Sequence, residues 1–239
     1  MYAATTESWR QPYLEGRVLL LDKPLTWTSF DVVKKVRILT GVSKVGHAGT
    51  LDPLATGLLI VCTGKFTKRI NEYMAREKEY TGIFRLGSVT PTFDLESSPE
   101  EKGPCGHLGL SDLREAAQAF TGEILQVPPI HSAVKKDGKP AYLLARKGRE
   151  VKLEPRPVTI KEFEITSFEL PDVGFRVVCS TGTYIRSLAN DIGMRLGCGA
   201  HLASLRRTRI GEFAVDGAMG IDAFVGQVGL ERSAPGQNG

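Results

Sequence analysis

What this chain lacks narrows its function before any motif is considered. Its longest apolar stretches, residues 18–21 and 58–62, fall far short of the roughly 20 residues that span a bilayer. Residues 1–16 are polar with a few aromatics and hold no apolar signal core, so the expectation is a cytoplasmic protein with no membrane partner. Cysteine is scarce. Cys62, Cys105, Cys179 and Cys198 form no C-x-x-C pair, and the four histidines make no H-x-x-x-H pattern. The Cys105/His107 neighbourhood is one pair in a Gly/Pro-rich loop. These spacings argue against both a structural zinc site and a disulfide framework, so no metal is expected. Gly-Lys-Ser/Thr is also missing after the glycine-rich window described below, which argues against a phosphate-cradling nucleotide loop.

What is present is ordinary in bulk and uneven in detail. A hydrophobic fraction of 41% and a charged fraction of 24% fit a globular chain whose 239 residues make one sizeable domain, with or without an insertion. Net charge is only +4, yet residues 135–156 alone carry eight Lys/Arg against three Asp/Glu. All the excess positive charge sits in that segment. It reads either as a phosphate-binding surface or as a solvated helix face.

Short strands at residues 17–22, 58–62 and 79–86 alternate with helices, without a regular βαβ rhythm. Ser29 is placed to cap a helix with Val32, Val33, Val36 and Leu39 on one face and Gly41 at its end. Thr67 is placed to cap a short helix through Met74. Residues 88–109 read as an acidic, Pro/Gly/Ser-rich loop, followed by a helix over 111–120. Asp137-Gly138 signals a hairpin turn ahead of a basic helix near residues 141–147. In residues 157–168 the apolar alternation changes phase, which predicts a β-bulge. Residues 173–179 alternate cleanly, and Ile185, Leu188, Ala189, Ile192 and Leu196 form the best helical stripe. The fold class expected is α+β, a mixed and largely antiparallel sheet flanked by helices.

Three places hold unusual chemistry. Residues 46–57, GHAGTLDPLATG, combine three glycines with an aspartate, Asp52, that Pro53 holds extended. Turn-forming residues alone would explain such a cluster. Arg186 falls in the first turn of a helix whose cap is expected at Thr181 or Thr183, where a cation opposes the helix dipole. It either snorkels to solvent or pairs with a carboxylate or phosphate. The run Leu205-Arg206-Arg207-Thr208-Arg209 fits a solvated edge strand, and Tyr80 fits plain strand packing.

Taken together, these windows resemble the TruB family of tRNA pseudouridine(55) synthases, over about residues 16–213. The G-H-x-G-T-L-D-P-x-A-x-G signature is intact at 46–57, and Lys78-Glu79-Tyr80 matches a K-x-Y element. Gln126-Val127-Pro128-Pro129, Ser132-Ala133, Lys135, Gly138, Tyr142 and Ala145-Arg146 resemble the substrate-gripping insertion. Gly182 to Ser187 resembles the arginine motif, and Leu205 to Thr208 the closing one.

The resemblance implies roles. Asp52 would be the essential carboxylate, Arg186 its ion-pair partner, and Tyr80 the ring stacked on the target base. His47 would support the flipped nucleotide, Lys23 would support the pocket, and Tyr184 and Leu205 would line it. Lys135 and Arg146 would contact RNA from a thumb at about 128–156. It also implies a pseudouridine synthase catalytic fold over residues 1–239 as a single domain, with no cofactor. The partner would be the T-arm stem-loop of tRNA, bound by a monomer. Two departures stand out. Thr26 replaces the glycine usual in D-K-P-x-G-x-T-S, which puts the turn there in doubt. The short tail after Phe213 leaves no room for the small C-terminal RNA-binding domain that many family members carry. The rival readings are a tRNA-folding chaperone of the same fold without catalysis, in which Asp52 would be dispensable, and a guide-RNA-dependent synthase.

Overall fold

The structure, a computed structural model, describes residues 8–130, 132, 134–136, 139–140 and 153–234. The elements run α1 (Gln11–Glu15), β1 (Val18–Lys23), α2 (Ser29–Thr40), β2 (Val45–His47), β3 (Ala55–Thr63) and α3 (Ile70–Met74). There follow β4 (Lys78–Leu86), β5 (Ser88–Val89), β6 (Glu100–Glu101), α4 (Leu110–Ala119), β7 (Gly122–Gln126), β8 (Lys135–Lys136) and β9 (Lys139–Pro140). The chain closes with β10 (Arg156–Glu169), β11 (Asp172–Cys179), α5 (Ile185–Arg195), β12 (Ala200–Ile210), β13 (Phe213–Ala214), β14 (Met219–Gly220) and α6 (Ile221–Ser233). They form two compact units, one from residues 1–76 with 206–239, the other from 77–205. Among the described residues no helix is long and apolar enough to cross a membrane.

In the first unit β1 lies antiparallel to β3 from Val18 opposite Cys62 to Lys23 opposite Gly57. Strand β14 joins β1 in parallel, and β2 lies antiparallel along the other edge of β3, from Val45 opposite Thr63 to His47 opposite Val61. The uninterrupted apolar run in β3 has a direct cause. Leu59 and Val61 face Val32, Val33 and Val36 of α2 and Phe224 and Val228 of α6, while Leu58, Ile60 and Cys62 face Ala48, Tyr73 and Ile210. A strand covered on both faces has no polar side, so alternation disappears. Each such side chain contributes roughly 1.5–3 kcal/mol on burial.

Helix α2 begins one residue earlier than expected. Thr28, not Ser29, is the cap: its hydroxyl accepts from the Asp31 amide, and Asp31 accepts from the Thr28 amide. This frees Ser29 for the task described below. Gly41 ends the helix in the left-handed conformation (φ 66°), as its sequence position implies. Thr67 caps nothing. It lies inside a 3₁₀ turn, where its hydroxyl donates to the Gly64 carbonyl, and α3 starts only at Ile70.

In the second unit the order is β4–β11–β10–β7, antiparallel throughout. With the parallel β1–β14 pair the sheet is mixed and largely antiparallel, as expected. The bulge anticipated in β10 is present and is joined by a second, with register shifts at Ile160/Glu162 and Ile165/Ser167. Phe84 and Phe175 stack at 3.9 Å on adjacent strands. The loop after β4 forms the short β5–β6 pair, and α4 starts at Leu110 with Asp112 accepting from the Gly109 amide. Helix α5 buries Ile185, Leu188, Ala189 and Ile192. Strands β8 and β9 pair with each other, whereas the expected basic helix near 141–147 lies outside the described residues.

Candidate active site

The site residues of the first unit cluster on the turn between β2 and β3. Asp52 is half-buried, and its carbonyl accepts from the Ala55 amide, closing a tight turn around Pro53. Three polar side chains fix the backbone on either side. Ser29 Oγ, released from capping, accepts from the Leu51 amide at 2.8 Å and donates to the Leu51 carbonyl at 3.1 Å. Lys23, with no exposed surface, donates to the carbonyls of Pro24 (3.0 Å), Trp27 (2.5 Å) and Pro53 (3.3 Å). Arg207, further along the chain, bonds the carbonyls of Gly49 and Leu58. Buried carbonyls left unpaired would each cost a large part of a hydrogen bond's worth, so these contacts specify the loop as well as stabilise it.

Burial holds the Lys23 ammonium down to about 8, with the Arg207 charge acting the same way and Asp52 opposing both. His47 ends β2 and is half-buried. Desolvation, then the nearby Arg207 charge, hold its imidazole below the usual value, and Nδ1 is buried without a hydrogen-bond partner in the described structure.

Thr26 keeps the turn that its sequence position put in doubt. It adopts the left-handed conformation (φ 69°) that the expected glycine would take, and its amide donates to the Pro53 carbonyl at 2.9 Å. Left-handed backbone is costly for a β-branched residue, so the turn exists here against local preference.

In the second unit Arg186 sits in the first turn of α5, as anticipated, but neither threonine caps that helix. Tyr184 is the cap, through extended backbone, while Thr183 Oγ1 donates back to the Ser180 carbonyl. Gln126 supplies what the cap lacks: its side chain accepts from the Tyr184 amide at 2.8 Å and donates to the Tyr184 carbonyl at 3.1 Å. Ser187 Oγ donates to the Val127 carbonyl, so the end of β7 and the start of α5 are stitched together. Snorkelling is excluded for Arg186, which is 5% exposed; Nη1 reaches the Thr92 carbonyl at 3.4 Å and Nε the Asp94 carboxylate at 3.6 Å.

Asp94 is a candidate that sequence reasoning missed. It lies in a segment read as a loop and is itself buried. One carboxylate oxygen accepts from the Glu96 amide, and Phe93 is forced into left-handed backbone (φ 63°). Tyr80 occupies β4 opposite Val177 and is 9% exposed; Tyr184 and Leu205 are half-buried. Lys135 falls in β8, described by its backbone alone, and Arg146 lies outside the described residues. Arg207 is also a correction. The basic run of β12 is no solvated edge, because Arg207 is buried and its backbone abuts Gly57.

Comparison with solved structures defines the class. A crystal structure of a Cbf5–Nop10–Gar1 complex matches 97% of this chain at 30% identity with a TM-score of 0.74, though the match spans 60% of that chain. The archaeal box H/ACA sRNP Nop10–Cbf5 complex matches 92% at 29% identity with a TM-score of 0.69, spanning 56% of its chain. Family models are more specific. The TruB family pseudouridylate synthase N-terminal domain matches residues 37–185, and the tRNA pseudouridylate synthase B C-terminal domain matches 186–229. The tRNA pseudouridine synthase B of Flavobacterium johnsoniae is 52% identical, over 90% of this chain and 96% of its own length. The protein of the same name from Phocaeicola vulgatus is 50% identical, over 89% and 93%. The chain belongs to the TruB family of pseudouridylate synthases.

Proposed function

We propose that this chain isomerises uridine to pseudouridine in transfer RNA, at position 55 of the T-loop, with Asp52 as the catalytic carboxylate. The observation that carries this reading is the loop at 49–58. An intact family signature there is held by Ser29, Lys23 and Arg207, all bonded to main chain, so that the Asp52 side chain is presented while its backbone is fixed. The curated relatives support tRNA as the substrate class.

In the reaction the C1′–N1 bond breaks, uracil turns, and C1′–C5 forms. The proton on C5 leaves, and N1 gains one. Nothing is oxidised, and no group is donated from outside, so neither cofactor nor metal is required by the balance. Asp52 acts on the ribose or the base as an ionised carboxylate. Arg186 supplies an opposite charge to it, already part-matched by Asp94. Tyr80 stacks on the uracil and assists loss of the C5 proton. The target base must leave its stack to be reached, and His47, Tyr184 and Leu205 hold it there. Lys135 and Arg146 on the thumb take the phosphates, in the manner usual for RNA bound through backbone and extruded bases. The enzyme works as a cytoplasmic monomer over a single catalytic domain.

Tritium release from C5-labelled uridine in a T-arm stem-loop tests the reading, comparing wild type with Asp52→Asn in EDTA. Release by wild type alone is expected. Binding without release by either protein would favour a folding chaperone instead.

A further inference from the structure

Of the three side chains that hold the Asp52 loop, Arg207 is the one whose charge is both buried and permanent. Arg207 is 1% exposed, and a guanidinium does not shed its charge by losing a proton. Its donors go to main-chain carbonyls: Nε to Leu58 at 2.8 Å, Nη2 to Gly49 at 3.1 Å and Nη1 to Thr50 at 3.5 Å. Two of these acceptors precede Asp52 and the third follows it. One rigid planar fork therefore sets the distance between the entry and the exit of the loop, which a flexible ammonium could not do.

A second observation points the same way. Gly57 has φ 102°, and a Cβ built there would lie 2.3 Å from the Arg207 carbonyl oxygen. The loop's exit is thus pressed directly on the backbone that carries the guanidinium. A third is electrostatic. The charge of Arg207 depresses protonation of both Lys23 and His47, the two bases beside the loop. A fixed cation under a loop bearing a carboxylate favours the ionised carboxylate in the same way.

We infer that Arg207 is a positioning residue for the isomerisation, acting through the backbone of the Asp52 loop and through its permanent buried charge. This rests on the proposed role of Asp52.

The test is single-turnover tritium release from a C5-labelled T-arm stem-loop, with stem-loop affinity and thermal unfolding measured on the same proteins. Arg207→Lys keeps the charge and loses the fork. It is expected to lower the rate constant at least tenfold with affinity within twofold of wild type. Arg207→Gln loses the charge as well, and is expected to move the acid limb of the pH–rate profile to higher pH. A merely structural defect would scale that profile without moving it. Should Arg207→Lys fail to fold, Gly49→Ala perturbs the same carbonyl through its own backbone, which an L side chain strains at positive φ. Its added Cβ would sit 3.6 Å from Nη1 at φ 96°, and a lowered rate constant is again expected. Wild-type rates in the folded variants, or an unmoved acid limb in Arg207→Gln, would overturn the inference. Asp52→Asn separates the two readings. Turnover by that variant would remove the premise, whereas an inert Asp52→Asn beside a fully active Arg207→Lys would remove the inference alone.

Discussion

Nε of Arg186 lies 3.6 Å from Oδ2 of Asp94, and both side chains are 5% exposed. Breaking a buried pair strands the surviving charge, which typically costs about 3–5 kcal/mol. Asp94→Ala is therefore expected to lower unfolding free energy, by less than that full cost because Arg186 keeps other contacts, and to cut turnover, since Arg186 loses one of its partners. Asp94→Asn keeps an acceptor and should lose less of both. Chemical denaturation and tritium release on the two variants decide it; equal stability of Asp94→Ala and wild type would show the pair to be dispensable.

Thr26 offers the opposite opportunity. Its side chain is exposed, so Thr26→Gly gives up little packing while removing the left-handed strain. After the entropy cost of glycine, a gain of about 1 kcal/mol is expected. An unchanged or lower denaturation midpoint would mean that the threonine is not strained there.

His47 gives a pH signature. Its folded-state value lies below the ordinary 6.5, so below that pH the unfolded chain binds more protons than the folded one. Stability then falls as pH drops through this window, and rises with pH across it. The stability difference between wild type and His47→Gln should shrink on acidification below pH 6.5. A difference constant between pH 5 and 7 would place the imidazole in ordinary solvent.

Salt dependence examines the thumb. Replacing Lys135, Lys136, Arg146 and Lys147 with alanine should weaken stem-loop binding and flatten the slope of log K against log salt by about 3, given roughly 0.7–0.9 per phosphate contact. An unchanged slope would take these residues off the RNA.

Much of the fold was legible because its signals are local. Gly41, the phase change in β10 and the stripe of α5 each act within a few residues, and each fell where it was read. The helix starts slipped because several polar residues compete at an N-terminus. Thr28 and Ser29 are both capable caps, and only the hydrogen bonds that the Leu51 backbone makes with Ser29 decide which one turns inward. The motif residues Asp52 and Arg186 stand out in sequence through their company. Asp94 does not, because its partner Arg186 is remote in sequence, and Gln126 stood out only as part of the insertion motif and not for its bonds to Tyr184, across stretches no periodicity reports. Arg207 was misread for a related reason. A run of arginines reads as solvated surface until the carbonyls that bury one of them are in place.

The division of the chain into a continuous unit, 77–205, and one assembled from both ends has a consequence for synthesis. As the polypeptide leaves the ribosome, residues 77–205 can collapse as soon as they emerge. The first 76 must wait, because β14 and α6, which cover β1 and α2, are made after residues 77–205. Arg207 belongs to that late portion as well. The segment bearing Asp52 follows two of its supports, Lys23 and Ser29, out of the ribosome, yet the third, Arg207, is made only after residues 77–205. A chain stopped before Arg207 would carry the signature with part of its scaffold missing.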